Sequence, residues 1–290
     1  MLDLALANRT ETFENLREPL GERGVRVRHL DVSGRVTPLG RDAPWSPGQF
    51  DVGWVYPGRI MEGAIADALL DLPWINDRET VLASRNKAAV LARLERADIP
   101  VPASVHVSNP VEERELVAAF ERLDPPVVVK PNSTTRGVGV ARADDLDSFL
   151  GIAEYLDLVH DYRATGDKSF LLQEFVPEAR DLRVMVVDEA YAGAVRRELP
   201  ADALAAGRWK HNVHRGARAT GVTPDREVQR LAEAVASELD AALLGVDVLV
   251  GPDGPVVLET NARPTVDLAT RYEPAFHDRL ADLVERTAGR

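Results

Sequence analysis

The chain has 290 residues, 45% hydrophobic and 28% charged, with a formal net charge of −12 and no cysteine. Its length suits two or three lobes around shared sheets, and the acid excess argues against a nucleic-acid surface, which needs clustered Lys and Arg. Disulfides, thiolate metal sites and cysteine nucleophiles are excluded, and no apolar run approaches the ~20 residues of a membrane span, so a cytoplasmic protein with neither nucleic-acid nor membrane partner is expected.

Residues 2–7 read as a buried strand, and Phe13, Leu16 and Leu20 mark a helix ending near Gly21 and Gly24. Residues 25–30 alternate Val and Arg as a half-buried strand should, residues 51–56 form a third strand and 62–70 a helix. This order predicts a small α/β lobe with a largely parallel sheet. Residues 36–50, with three prolines, read as an irregular connection. Tyr56-Pro57-Gly58-Arg59 falls where the sheet ends, and open α/β sheets receive ligands there. Arg59 is therefore a candidate for a substrate carboxylate, with a solvated surface arginine as the alternative.

The spacing of Val81, Leu82, Val90, Leu91 and Leu94 predicts one helix over 78–97 that stops before Pro100 and contains Lys87. A strand at 101–107 and a helix at 111–123 follow. Only four lysines occur, at 87, 130, 168 and 210. In a chain that otherwise uses Arg, the Lys130 that ends the run Val127-Val128-Val129 suggests a need for a compact ammonium, although genome composition or a high-salt habitat gives the same bias. The loop that follows holds Ser133, Thr134, Thr135, Gly137 and Gly139, and such a loop can present N–H groups and hydroxyls to phosphate. A surface hairpin turn is the alternative.

Residues 144–159 are a predicted helix, 170–176 a strand, and 181–187 with 191–197 a hairpin joined through Asp188-Glu189. Residues 199–206 carry no clear signal. The segment 209–216 is dense in polar groups, yet His211 and His214 have no third ligand at a useful spacing for a transition metal. A long amphipathic helix over 227–243 leads into residues 245–261, and 274–288 close the chain as a helix.

Residues 245–261 hold two β-rich runs around a Gly/Pro/Asp turn. If the turn centres on Asp253, Asp247 and Glu259 fall opposite one another, and Asn261 shares a face with Glu259. Like charges facing across a ladder destabilise it. A hard cation held by two carboxylates and an amide explains them; strand ends in water are the plain alternative.

The order of a strand-ending Lys, a Gly/Thr loop, a Gln-Glu strand end, an Asp-x-Arg strand, a Trp-Lys-His-Asn segment and an Asp…Glu-x-Asn hairpin resembles the ATP-grasp superfamily, most closely its RimK-like carboxylate–amine (α-L-glutamate) ligases, over residues 76–270. The resemblance implies an α/β fold with α+β lobes: an N-terminal pre-ATP-grasp lobe at 1–80, a central lobe with the phosphate-clamping loop at 81–175, and a C-terminal lobe with the metal site at 176–290. It implies ATP as cofactor, with Lys87 and Lys130 on its phosphates, Glu174 and Phe175 at adenine, Asp181 at ribose or nucleotide, and Lys210, His211 and Asn212 lining ATP and the acylphosphate. Arg183 and Arg197 would neutralise the transferring phosphoryl group, and Asp247, Glu259 and Asn261 would bind Mg²⁺, with Mn²⁺ as the alternative ion.

The reaction so implied joins an amino acid such as glutamate to a carboxylate on a cofactor, peptide or protein tail, in an enzyme whose relatives form dimers or tetramers. A small-peptide ligase of the glutathione-synthetase type and a non-catalytic ATP-binding module are the other readings. A dinucleotide-dependent oxidoreductase is excluded, because Ala7-Asn8-Arg9-Thr10 stands where a Gly-x-Gly-x-x-Gly would follow the first strand. Two features depart from the family pattern. Arg263 follows the metal-binding Asn where small or polar residues are usual, which makes it a candidate for a substrate carboxylate or for a neighbouring acid, and residues 161–169, with Lys168, read as an inserted surface loop.

Overall fold

The computed structural model describes residues 1–7, 11–134, 137–159, 167–211, 213, 216–267 and 271–289. Strands β1 (Leu2–Leu6), β2 (Val25–His29), β3 (Val52–Val55) and β4 (Trp74–Asn76) form a parallel sheet in the order β2-β1-β3-β4. Helices α1 (Glu11–Gly21) and α2 (Ile60–Leu70) connect its strands. The parallel α/β pattern is the expected one, but β4 is an addition. Its three residues follow Pro73 and are too few to show a period.

The former single helix over 78–97 is two: α3 (Arg78–Arg85) and α4 (Lys87–Arg96). Asn86 ends the first in an extended conformation, and its side chain accepts the Ala89 N–H at 3.0 Å, capping the second. Apolar periodicity runs through the break, because both helices bury their faces against the same core. Lys87 thereby becomes the first residue of α4.

The second sheet, β5-β8-β6-β7, is built antiparallel from β5 (Ser104–Ser108), β6 (Val127–Pro131), β7 (Ala141–Ala143) and β8 (Ser169–Glu174). Helices α5 (Glu113–Phe120) and α6 (Leu146–Val159) cover it, and Phe120 stacks on Phe149 with centroids 5.4 Å apart. The third sheet is antiparallel and runs β11-β10-β9-β12-β13, from β9 (Arg180–Val187), β10 (Ala190–Glu198), β11 (Arg218–Val222), β12 (Leu243–Gly251) and β13 (Gly254–Asn261). The β9–β10 turn holds Asp188 and Glu189 at φ 53° and 58°, the left-handed pair that a two-residue hairpin turn requires. Residues 199–206, unassigned above, contain the short helix α7 (Ala201–Ala205).

Helix α8 (Arg226–Glu238) covers one face of the third sheet together with α3 and α4. It ends five residues before the 243 expected, where Asp240 takes φ 50° and turns the chain into β12. The last helix, α9 (Phe276–Ala288), packs against β3, β4 and β9, so one core joins the first and third sheets. Among the described residues no helix is long and apolar enough to cross a membrane.

Asn76, the last residue of β4, is 1% exposed and fastens this junction. Its Nδ2 donates to the carbonyls of Leu243 and Ala262 at 2.5 and 2.7 Å, and its Oδ1 accepts the Leu243 N–H at 3.3 Å. It thus binds the first residue of β12 and the residue just after β13 to the first sheet. Asn76→Ala should lower the unfolding free energy by about 3 kcal/mol, because buried main-chain groups lose their partners. Urea denaturation measures this, and an unchanged midpoint would mean that the three contacts do not hold the junction.

Candidate functional site

Asp247 stands in the middle of β12 and is 3% exposed. In the ladder it faces Glu259 on one side and Arg183 on the other. Arg183 Nε and Nη2 donate to its two oxygens at 2.7 Å each, and Arg197 Nη1 adds a contact to Oδ2 at 3.3 Å. Arg197 in turn faces Asp181 across β9 and β10, with Nε donating to Oδ1 at 2.8 Å. Burial alone would raise the Asp247 carboxyl, but the Arg183 and Arg197 charges outweigh it and hold the group well below the usual carboxylate range. For Asp181 burial prevails over Arg197 and pushes the carboxyl up.

The expected opposition of Asp247 and Glu259 is present, but a turn centred on Asp253 is not its cause. Gly251 pairs with Gly254, so the turn residues are Pro252 and Asp253 and the centre falls half a residue earlier. The register then shifts: Val248 faces Val257, whereas Asp247 faces Glu259. Leu258 is the extra residue of a β-bulge. In a regular strand Val257 and Glu259 would share a face. With the bulge, Val257 is fully buried with Val248 in the core under α8, and Glu259 joins Asp247 on the opposite face.

Lys130 crosses to this row from β6. It is 4% exposed, donates to Gln173 Oε1 at 2.7 Å and reaches the carbonyl of the bulged Leu258 at 3.4 Å. Burial, helped by the Lys87 charge, outweighs the Glu259 carboxylate and brings Lys130 down to about 8. Lys87 Nζ lies 3.9 Å from Glu259 Oε2 and donates to the carbonyls of Thr134 at 2.5 Å and Asn132 at 3.4 Å. Asn132 closes the junction. Its Oδ1 accepts the Ala88 N–H at 2.9 Å, and its Nδ2 donates to Asn86 Oδ1 at 3.0 Å. The loop after β6 is thereby docked on the first turn of α4.

Within that loop Gly137 and Gly139 take φ 64° and 74°, and a Cβ at Gly139 would lie 2.7 Å from Pro131. Lys210 Nζ donates to the Val140 carbonyl at its far end. His211 Nδ1 lies 3.0 Å from the Arg197 carbonyl, which joins the 209–211 segment to β10. Phe175 meets Trp209 edge to face at 6.0 Å, under the Arg142 guanidinium at 5.7 Å. Glu174 is exposed at the rim, with Oε2 accepting the Ala103 N–H at 3.3 Å. Thr135, Asn212 and His214 lie outside the described residues, as do positions 161–166 of the expected inserted loop.

Asn261 follows Glu259 on the same face, and its Oδ1 accepts the Arg263 N–H at 2.9 Å. Arg263 lies against Gly58, where an added Cβ would fall 2.1 Å from its Nη1. Arg59 is set apart from the others: its side chain is 65% exposed and Nη1 meets Glu62 at 3.1 Å on the first turn of α2. The sequence alone assigned no individual role to Gln173, Asn86, Asn132 or Arg85. Gln173 carried a signal, since a glutamine after Phe170-Leu171-Leu172 in a buried strand requires a partner.

Among the described residues no three His, Cys, Asp or Glu cluster as a metal cage. The oxygen set here is two carboxylates and one amide, which suits a hard divalent ion whose other positions are filled by water or phosphate. A carboxylate has acceptor capacity beyond the contact that Glu259 makes with Lys87 and those that Asp247 makes with its arginines. The residues present fit such an ion.

The family model for the RimK-like ATP-grasp domain matches residues 84–275. A probable alpha-L-glutamate ligase of Stenotrophomonas maltophilia (strain K279a) is 31% identical over 207 residues, covering 68% of this chain and 66% of that protein. One from Xanthomonas euvesicatoria pv. vesicatoria (strain 85-10) is 30% identical over 221 residues, covering 74% of this chain and 70% of that protein. The match thus spans just under two thirds of the first relative's length. Among solved structures, D-cycloserine synthetase DcsG superposes with a TM-score of 0.75 at 18% identity, covering 98% of this chain and 99% of that one. The D-alanine–D-alanine ligase of Bacillus anthracis complexed with ATP gives 0.72 at 14%, covering 100% and 98%. These likenesses establish the ATP-grasp fold.

The two sets of buried charge should respond differently to removal. Arg197→Met leaves Asp181 and Asp247 buried with a cation missing, and should lower stability by about 3–5 kcal/mol. Lys130→Met removes an ammonium that burial already disfavours, which offsets the lost bond to Gln173, so stability should stay within about 1 kcal/mol. Denaturant unfolding of both variants, followed by circular dichroism, checks the contrast; equal losses would contradict it.

Proposed function

The chain belongs to the RimK-like ATP-grasp family, and from that membership we propose that it is an ATP-dependent ligase that joins an amine to a carboxylate as an amide. The observation that carries this reading is the convergence of Lys87, Lys130, Arg183 and Arg197 on a face that also bears Asp247, Glu259 and Asp181. Phosphoryl transfer chiefly needs position and charge neutralisation, and such a face supplies both without a protein nucleophile. The absence of cysteine is consistent with that chemistry.

In this reading Lys87 and Lys130 hold the triphosphate, and the loop with Thr135, Gly137 and Gly139 covers it against water. Phe175 and Trp209 present apolar faces for adenine, Glu174 and Asp181 meet the nucleoside, and Lys210 and His211 line the far wall, with Asn212 assigned to ATP and the acylphosphate by the family resemblance alone. Asp247, Glu259 and Asn261 would hold Mg²⁺, with Mn²⁺ as the alternative, and the ion would supply neutralisation of phosphate charge. An oxygen of the substrate carboxylate attacks the γ-phosphorus of ATP and ADP leaves. The neutral amine nitrogen then bonds to the acyl carbon of the acylphosphate, the carbon–oxygen bond to phosphate breaks, and the amine loses a proton. Arg183 and Arg197 stay fixed on the sheet, so they stabilise the transferring group without rearrangement. The names of the curated relatives favour glutamate as the amine, and the carboxylate in this reading belongs to a cofactor, peptide or protein tail.

The test is ADP and phosphate release from the purified protein with Mg-ATP across panels of amino acids and carboxylates, with mass spectrometry of the mixtures. A product one water lighter than the sum of two substrates is expected. Nucleotide binding with no turnover on any pair would favour a non-catalytic module. Glu259→Gln removes a ligand charge but no core volume. It should reduce metal-dependent turnover at least ~100-fold and leave the circular dichroism spectrum unchanged, and full activity in this variant would remove Glu259 from the metal set.

A further inference from the structure

Two arginines from different parts of the fold meet at one glycine. Arg85, the last residue of α3, donates from Nη2 to the Gly58 carbonyl at 2.8 Å. Arg263, beyond β13, lies against the α-carbon of the same residue, in space that any side chain at Gly58 would fill. Both are half-buried. The two guanidiniums thus converge on one residue from two sides, an arrangement that matches an anion with two oxygens.

The position of the pair narrows the anion. Arg85 precedes Lys87 by two residues and Arg263 follows Asn261 by two, so each α-carbon lies at most about 7 Å from that of a residue proposed above to serve the triphosphate or the metal. Gly58 lies just beyond the C-terminal end of β3, the edge at which parallel sheets receive ligands. Resting on the ligase reading, we propose that Arg85 and Arg263 form a clamp for the carboxylate of the amino-acid substrate. An amino acid brings both the attacking amine and a carboxylate that would itself accept a phosphoryl group. Two guanidiniums at the edge of the transfer site grip that carboxylate away from the γ-phosphate and leave the amine directed toward the acyl carbon. Arg59, turned outward to Glu62, has no part in the clamp.

The test uses the full chain with Mg²⁺ and a non-hydrolysable ATP analogue, titrated calorimetrically with each common amino acid and with the same amino acid as its α-carboxamide. At least one amino acid should bind, its carboxamide at least ~10-fold more weakly, and Arg263→Met and Arg85→Met should each weaken the acid at least ~10-fold without changing affinity for the ATP analogue. The retained nucleotide affinity shows that each variant is folded. Equal binding of acid and carboxamide, or unchanged amino-acid affinity in Arg263→Met, would overturn the clamp while leaving the ligase reading intact. A wild-type chain that does not bind the ATP analogue would instead defeat the ligase reading.

Discussion

A carboxylate buried in the middle of a sheet is stable only if its charge is matched, and Asp247 sets that requirement for the whole third sheet. The β9–β12 register brings Arg183 opposite it, and the β9–β10 register brings Arg197 opposite Asp181. A slip of one residue between β9 and β12 would turn every side chain on one strand to the other face. Arg183 would then lie in the apolar core under α8 and Asp247 would lose its partner. The ionic row is a weak source of net stability, but it is a strong determinant of register, and the site is built on that register.

The second sheet is oriented against this row through a few contacts at the start of α4. Asn86 caps that helix from before and Asn132 from across the cleft, so the loop that carries Gly137 and Gly139 begins at a fixed point. Lys87 and Lys210 bind carbonyls at the two ends of the same loop. Phosphate oxygens are stronger acceptors for ammonium groups than carbonyls are. A bound triphosphate therefore competes with the loop's own backbone for those lysines, which couples nucleotide binding to loop position.

The sequence made the larger elements readable because their faces have clear periods, as in α8, α9 and the β12–β13 hairpin. It missed β4, β7 and β11, which are short or lie at sheet edges with little apolar pattern. The opposition of Asp247 and Glu259 was legible, although through an incorrect turn centre that a bulge at Leu258 offsets. A bulge depends on what packs beneath it. Val257 is needed in the core and Glu259 in the cleft, and local propensity does not encode that conflict. Arg85 was hidden for a similar reason: in sequence it is an ordinary last-turn arginine, and only the approach of the Tyr56–Arg59 turn brings it to Arg263.

The groups assigned to phosphoryl transfer and those assigned to substrate recognition sit on different kinds of structure. Asp247, Arg183, Arg197 and Lys130 project from strands flanked by neighbours on both sides, and Glu259 from the edge strand β13, held by its ladder to β12. Arg263 and Gly58 lie on connections just past strand ends, and Arg85 at a helix terminus. Chemistry that depends on charge placement tolerates little displacement, whereas connections accept substitution without disturbing the ladders beneath them. A fold divided in this way can keep one reaction while its partners change, because the residues that select a substrate are tied to the reacting row through only one or two peptide units.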